Sequence, residues 1–134
     1  MTPVTWNDAL VLNFGPMDGV HQEFIGLLAR AQAADDGQFA EAWRAVIEHT
    51  ESHFGQEDAW MTKTRFSTGE NHRLQHRVVL NLMREGLALA RAGNLAEVRQ
   101  MADELASWFV KHTQSLDAAL ALHLRSVSPL KTAA

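Results

Sequence analysis

A chain of 134 residues is one domain's worth, long enough to bury a real core, and 12 basic against 16 acidic residues give it a formal charge of -4. It has no basic run or stripe, so neither nucleic acid nor an anionic membrane is an expected partner, and its lack of cysteine excludes disulfides, thiolate catalysis, zinc–thiolate sites and cysteine-bound iron–sulfur clusters. No apolar run reaches membrane-spanning length, and the first residues lack the basic start and apolar core of a secretion signal, so a soluble cytoplasmic protein is expected.

Residues 1–17 read as an ordered arm lying across the rest of the molecule. Trp6, Leu10, Leu12 and Phe14 are too apolar for a free tail, and Gly15-Pro16 is expected to stop any helix there. Trp6 reads as a packing residue. A first helix should start near Asp18, a residue type suited to an N-cap, and run to about Ala34 on a stripe of Val20, Phe24, Leu27, Leu28 and Ala31. His21 lies on the same side. Asp35-Asp36-Gly37 ends this helix.

The second helix is expected over Phe39–Lys63. Positions 39, 43, 46, 50, 53, 57 and 60 alternate steps of four and three, the rhythm of an inward seam in a bundle, and His53 and Glu57 fall on it. Ser67 and Glu70 have the spacing of a capping box for a third helix running to about Ala92. Its seam is His72, His76, Val79, Met83 and Leu87. After Gly93, Asn94 can cap a fourth helix from Leu95, with Val98, Met101, Leu105, Trp108 and His112 on its seam, continuing with a bend to about Leu124. The expected fold class is all-α, an up-down-up-down four-helix bundle (18–128) with an ordered N-terminal arm and a short tail (129–134). The outer faces read as charged and mixed, with no long apolar patch, and a monomer is expected.

Five histidines therefore sit on inward seams, at least one per helix: His21, His53, His72, His76 and His112. Glu57 joins them. Asp117 follows His112 by five residues, about 140° round a straight helix, and needs a wide site or a local bend to take part. A single buried imidazole ordinarily finds a carbonyl. Five of them facing two carboxylates cost too much to desolvate unless something shared binds them all. A divalent ion does so, and these side chains suit iron, copper, zinc or manganese. Seven ligands exceed one ion, while each carboxylate can bridge, so two metals are the natural count. With one bridging hydroxide the site would carry a net charge of +1.

The ordered set Asp18-x-x-His21, His53-Phe54-x-x-Glu57, His72-x-x-x-His76 and His112-x-x-x-x-Asp117 resembles the hemerythrins, in particular the single-domain bacterial ones. The resemblance spans nearly the whole chain, including Trp6, Met61 and Trp108. It implies two iron ions in a non-haem centre that binds dioxygen reversibly. One iron would take His72, His76 and His112. The other would take His21 and His53, with Glu57, Asp117 and an oxide or hydroxide bridging both. Dioxygen would bind at the open position of the two-histidine iron and be held as hydroperoxide. Phe24, Phe54, Trp108, Phe109, Thr113 and Leu116 would line its pocket, and Asp18 could orient His21 as well as cap its helix.

Three positions depart from the family's pattern. Asn13 stands where many relatives have a glycine in the arm. Asp58 replaces a frequent second glutamate and, facing away from the seam, is expected to have no effect. Thr113 stands where relatives commonly carry an aliphatic residue, and its hydroxyl could hasten autoxidation. His49 reads as a half-exposed flank, and His123 as a favourable charge at a helix C-terminus. Two other functions were open to such a site. A ferroxidase- or peroxidase-like di-iron enzyme would be expected to carry Glu-x-x-His pairs, which this chain lacks. A structural bundle holding zinc or manganese would use the same ligands. No protein partner is evident in the sequence.

Overall fold

The computed structural model describes residues 3–127. Its elements are α1 (Gly15–Ala33), α2 (Phe39–Lys63), α3 (Gly69–Arg91), α4 (Leu95–His112), a π-helical turn (Thr113–Asp117) and α5 (Ala118–Ser126), preceded by a 3-10 turn at Asp8–Leu10. No strand occurs among the described residues. α4, the π turn and α5 run on as one bent rod, so the fold is a four-helix bundle. The expected tail 129–134 lies outside the described residues.

The main core is built from the seams read in the sequence. Phe24, Leu28, Phe39, Trp43, Val46, Met83, Val98, Leu105 and Phe109 are all buried in it. Trp43 is fully buried and its indole N–H donates to the Met83 carbonyl at 2.9 Å, which ties α2 to α3 without leaving a polar atom unpaired. A second, smaller core closes the other end of the bundle around Phe14, Met17, Met61, Leu120 and Leu124. The candidate polar residues lie between these two apolar plugs.

Helix boundaries differ from expectation where backbone geometry outweighed residue preference. Gly15-Pro16 begins α1 instead of blocking it, because proline suits the first turn, where its missing N–H costs nothing. Asp18 is therefore not the N-cap. Its carboxylate accepts from the backbone N–H of Leu12 (2.8 Å) and Phe14 (3.2 Å), pinning the arm to α1. Asn13 adopts a left-handed φ of 56° at the bend between them, a conformation asparagine tolerates better than most residues. The arm is tied further by Gln32, which accepts from the Val4 N–H at 2.7 Å, and by Arg125, which donates to the Leu12 carbonyl. The Ser67–Glu70 capping box does not form. Thr68 is the N-cap of α3 and makes no side-chain capping bond.

One outer face is not mixed as expected. Leu74, Val78 and Leu82, four residues apart on α3, are each about half exposed and form an apolar line along the helix.

At Gly86 side chains of α2 and α4 fill the space that a Cβ would take. A Cβ there would meet Met101 Sδ at 2.8 Å and Trp43 Nε1 at 3.2 Å, and the hydrogen bond of Trp43 prevents it from swinging aside. Gly86→Ala should therefore destabilise by about 1–2 kcal/mol, overpacking outweighing the roughly 1 kcal/mol of helix propensity gained. A lower urea midpoint at unchanged slope is the expected reading.

Candidate metal centre

Each main helix delivers its polar residues from the seam position that faces the bundle axis. His21 comes from α1, His53 and Glu57 from α2, His72 and His76 from α3, and His112 from the end of α4. Asp117 closes the π turn. A turn with i→i+5 bonds returns the fifth residue to the same line, so this local widening brings Asp117 beneath His112, which a straight α-helix would not do. All seven side chains are buried, none more than 5% exposed.

The geometry divides into two halves that share the carboxylates. Glu57 Oε2 lies 2.6 Å from His53 Nε2 and 3.5 Å from His21 Nε2, while its Oε1 lies 3.4 Å from His72 Nε2 and 3.3 Å from His76 Nε2. Asp117 repeats the division. Its Oδ2 is 3.2 Å from His21 Nε2, and its Oδ1 is 3.0 Å from His72 Nε2 and 3.1 Å from His112 Nε2. One half thus contains His72, His76 and His112 and the other His21 and His53, with Glu57 and Asp117 in both. Within each half the candidate ligand atoms all lie within 4.8 Å of one another.

Several of these atoms approach each other without hydrogen bonding. His21 Nε2, His76 Nε2, Glu57 Oε1 and both Asp117 carboxylate oxygens have no hydrogen-bond partner among the described residues. Orphaned buried groups of this kind are rare in folded proteins. Here they converge, as ligand lone pairs do on a cation. The 3.1 Å between His72 Nε2 and His112 Nε2 also fits, being about the separation of two imidazoles bound 2.1 Å from one ion at a right angle. A divalent cation suits this donor set of nitrogen and carboxylate oxygen.

In the metal-free protein protons stand in for the cation. Burial alone would lower the His21 and His72 pKa values, but the Asp117 and Glu57 carboxylates 3.0–3.5 Å from their Nε2 atoms outweigh it and hold both at about 9. His76 is raised too, burial being overcome by Asp58 and Glu57. Glu57 is held well below the usual carboxylate range, burial being outweighed by His53, His21 and His72. Asp117 is also lowered, because His112, His21 and His72 together overcome both burial and the Glu57 charge.

Aromatic rings surround the cluster. Phe54 stacks on the His76 ring at 3.8 Å and Trp108 on the His112 ring at 4.3 Å. On the other half, Phe109 meets the His21 ring edge-on at 5.2 Å and stacks on Phe24 at 4.4 Å. Thr113 is fully buried, and its hydroxyl has no partner among the described residues, whereas Leu116 is half-buried.

Two neighbours escaped the sequence reading. His76 Nδ1 lies 2.8 Å from Asp58 Oδ1, so Asp58 does not face away without effect. His112 Nδ1 lies 3.3 Å from Gln75 Oε1. Neither residue is on a seam, and only the pairing of α2 with α3 and of α3 with α4 brings them within reach. Conversely, Asp18 is occupied with the arm and makes no hydrogen bond to His21. His49 is a flank as expected, 3.3 Å from Glu23, and His123 bonds outside the cluster, 2.9 Å from the Thr64 hydroxyl.

Fold and donor set together define a helical bundle built to hold cations. The family described as the hemerythrin HHE cation binding domain matches residues 15–121. The chain is 35% identical to a bacteriohemerythrin of Ralstonia nicotianae over 96% of its own length and 94% of the relative's. It is 24% identical to a myohemerythrin of Riftia pachyptila over 87% of its length and 89% of the relative's. The chain belongs to the hemerythrin family.

The metal-free site should make stability depend on pH. Folding raises the His21 and His72 pKa values from 6.5 to about 9, so their contribution is complete below pH 6.5 and is lost as pH rises through 9. Folding lowers those of Glu57 and Asp117, so theirs is present above the ordinary values of 4.5 and 3.8 and is lost as pH falls. The chelator-treated protein should therefore melt highest between about pH 5 and 6.5 and at least about 4 °C lower at pH 9. With metal bound, calorimetry should find no such fall between pH 6.5 and 9.

Proposed function

We propose that this protein binds dioxygen reversibly at a non-haem di-iron centre, as a carrier, store or sensor and not as an enzyme. In this reading His72, His76 and His112 hold one iron, His21 and His53 hold the other, and Glu57 and Asp117 bridge them with an oxide or hydroxide. The observation that carries it is the division of the two carboxylates. Each turns one oxygen to one histidine group and its second oxygen to the other, as a pair of bridges must. Membership of the hemerythrin family supports iron as the metal and dioxygen as the partner.

The unequal histidine count leaves the ion at His21 and His53 one protein ligand short, and that position is where dioxygen would enter. A pair of iron ions held by His21, His53, His72, His76, His112, Glu57 and Asp117 would supply the redox chemistry for reversible dioxygen binding. The chain's own contribution is to keep water and stray protons away. Phe24 and Phe109 pack on the His21 side, and Phe54 and Trp108 cover the opposite imidazoles. Five imidazoles against two carboxylates make a nitrogen-rich shell of low negative charge. Such a shell favours high-valent iron less than the carboxylate-rich sites of oxidative di-iron bundles do, which supports binding over turnover.

We place the protein in the cytoplasm as a monomer. No helix among the described residues is long and apolar enough to cross a membrane.

The test is to load the reduced protein with ferrous iron and record the visible spectrum while the oxygen pressure is cycled. A peroxide-to-iron charge-transfer band that rises and falls with oxygen is expected. Irreversible bleaching with turnover would point to an enzyme, and no band at all would favour a zinc or manganese bundle.

We further propose that the Thr113 hydroxyl, buried beside His112 with no partner among the described residues, is a route by which a proton reaches bound dioxygen. Thr113→Ile should lengthen the lifetime of the oxygenated form several-fold in stopped-flow decay. An unchanged lifetime would remove Thr113 from the pathway.

A further inference from the structure

We propose that Asp58 is a positioning residue that makes the three-histidine half of the site its tighter half. This rests on the dinuclear reading above. Glu57 and Asp58 are neighbours on α2, and between them they address both nitrogens of a single imidazole on α3. Glu57 Oε1 lies 3.3 Å from His76 Nε2, and Asp58 Oδ1 lies 2.8 Å from His76 Nδ1. Only the Nδ1 contact is a hydrogen bond, His76 Nε2 and Glu57 Oε1 having no such partner among the described residues, so a neutral His76 donates Nδ1–H to Asp58 and directs the Nε2 lone pair into the cluster. Phe54, stacked on the ring at 3.8 Å and 8° from parallel, removes the remaining rotation.

The two halves of the site differ in this respect. His112 has a similar but neutral acceptor in Gln75 Oε1 at 3.3 Å. Nδ1 of His21 and Nδ1 of His53 have no partner among the described residues, and His72 Nδ1 has none either. Imidazoles that bind metals ordinarily donate their other N–H, and a carboxylate acceptor both fixes the ring and strengthens it as a ligand. Among the described residues only His76 of the five histidines has a carboxylate in that position, and only His76 and His112 have any such acceptor. Both belong to the half with three histidines. That half should fill first and empty last, with Asp58 as the chief cause.

Asp58 is one-third exposed, so the bond is made at the edge of the core, where a substitution leaves the apolar packing intact. A purely structural role, as a surface link between α2 and α3, would act on the whole site alike. The test uses cobalt(II) as the probe, titrated against a competing chelator into metal-free protein at pH 7 and followed by its visible ligand-field bands. Circular dichroism melts of the same metal-free samples run beside it. The unmodified chain should take up two ions, the first at least tenfold tighter than the second. Asp58→Ala should weaken the first step by about 10–100-fold and leave the second within about threefold, so that the two steps merge. Asp58→Asn, which keeps an acceptor without the charge, should lie between, and Asp58→Glu should restore most of the first step. Equal affinities in Asp58→Ala and the unmodified chain overturn the proposal. So does weakening of both steps alike, or a lower metal-free melting temperature with unaltered binding. An unmodified chain that binds fewer than two ions overturns the dinuclear reading itself, and the proposal with it.

Discussion

Two carboxylates, Glu57 and Asp117, are wholly buried in this protein, and among the described residues no lysine or arginine reaches either of them. Burying one unpaired anion costs several kcal/mol, and here two face each other across the bundle axis. Among the described residues imidazoles are their only counter-groups. Protonated, two of them carry a compensating charge in the metal-free chain, and deprotonated all five have the lone pairs that could hold a cation. The bundle is thus poised between holding protons and holding metal. The rest of the fold keeps that cluster dry and in register.

The apolar architecture follows from this need. One core packs above the cluster around Trp43 and Phe109, and another seals it below around Phe14, Met61 and Leu120. The arm contributes Phe14 and Leu12 to the lower seal, which explains why Asp18 holds its backbone so closely. Aromatic rings meet the His21, His76 and His112 imidazoles at stacking or edge-on distances that limit ring rotation. Orientation of the donors is therefore set largely before any ion arrives, which lowers the entropy cost of binding one.

The π turn at Thr113–Asp117 shows how a local irregularity serves the site. π turns of this kind commonly mark functional positions in helices. Here the extra residue converts a step that points Asp117 away from the axis into one that points it inward. It also places Thr113 in the core. The two halves of the cluster are then distinguished by their surroundings. Asp58 and Gln75 support the three-histidine half, while the two-histidine half is bounded by Phe24 and Phe109 and has no polar support at Nδ1.

Helical periodicity and residue chemistry alone determined the four helices, the span of α2, the inward seams and six of the seven candidate ligands. These are legible because a 3.6-residue period fixes which side chains share a face, and polar residues on an apolar face need a common partner. Spacing could say only that Asp117 lay out of register with His112. Whether a wide site or a bend resolved it was a matter of backbone hydrogen bonding, decided by packing as a π turn. The start of α1 at Gly15, the use of Asp18 as an anchor for the arm and the unformed Ser67–Glu70 cap were likewise settled by where the chain must travel, not by residue preference. Asp58 and Gln75 carry no signal within their own helices. Their roles depend on which helix lies beside them and at what height, and that is a property of the assembled bundle alone.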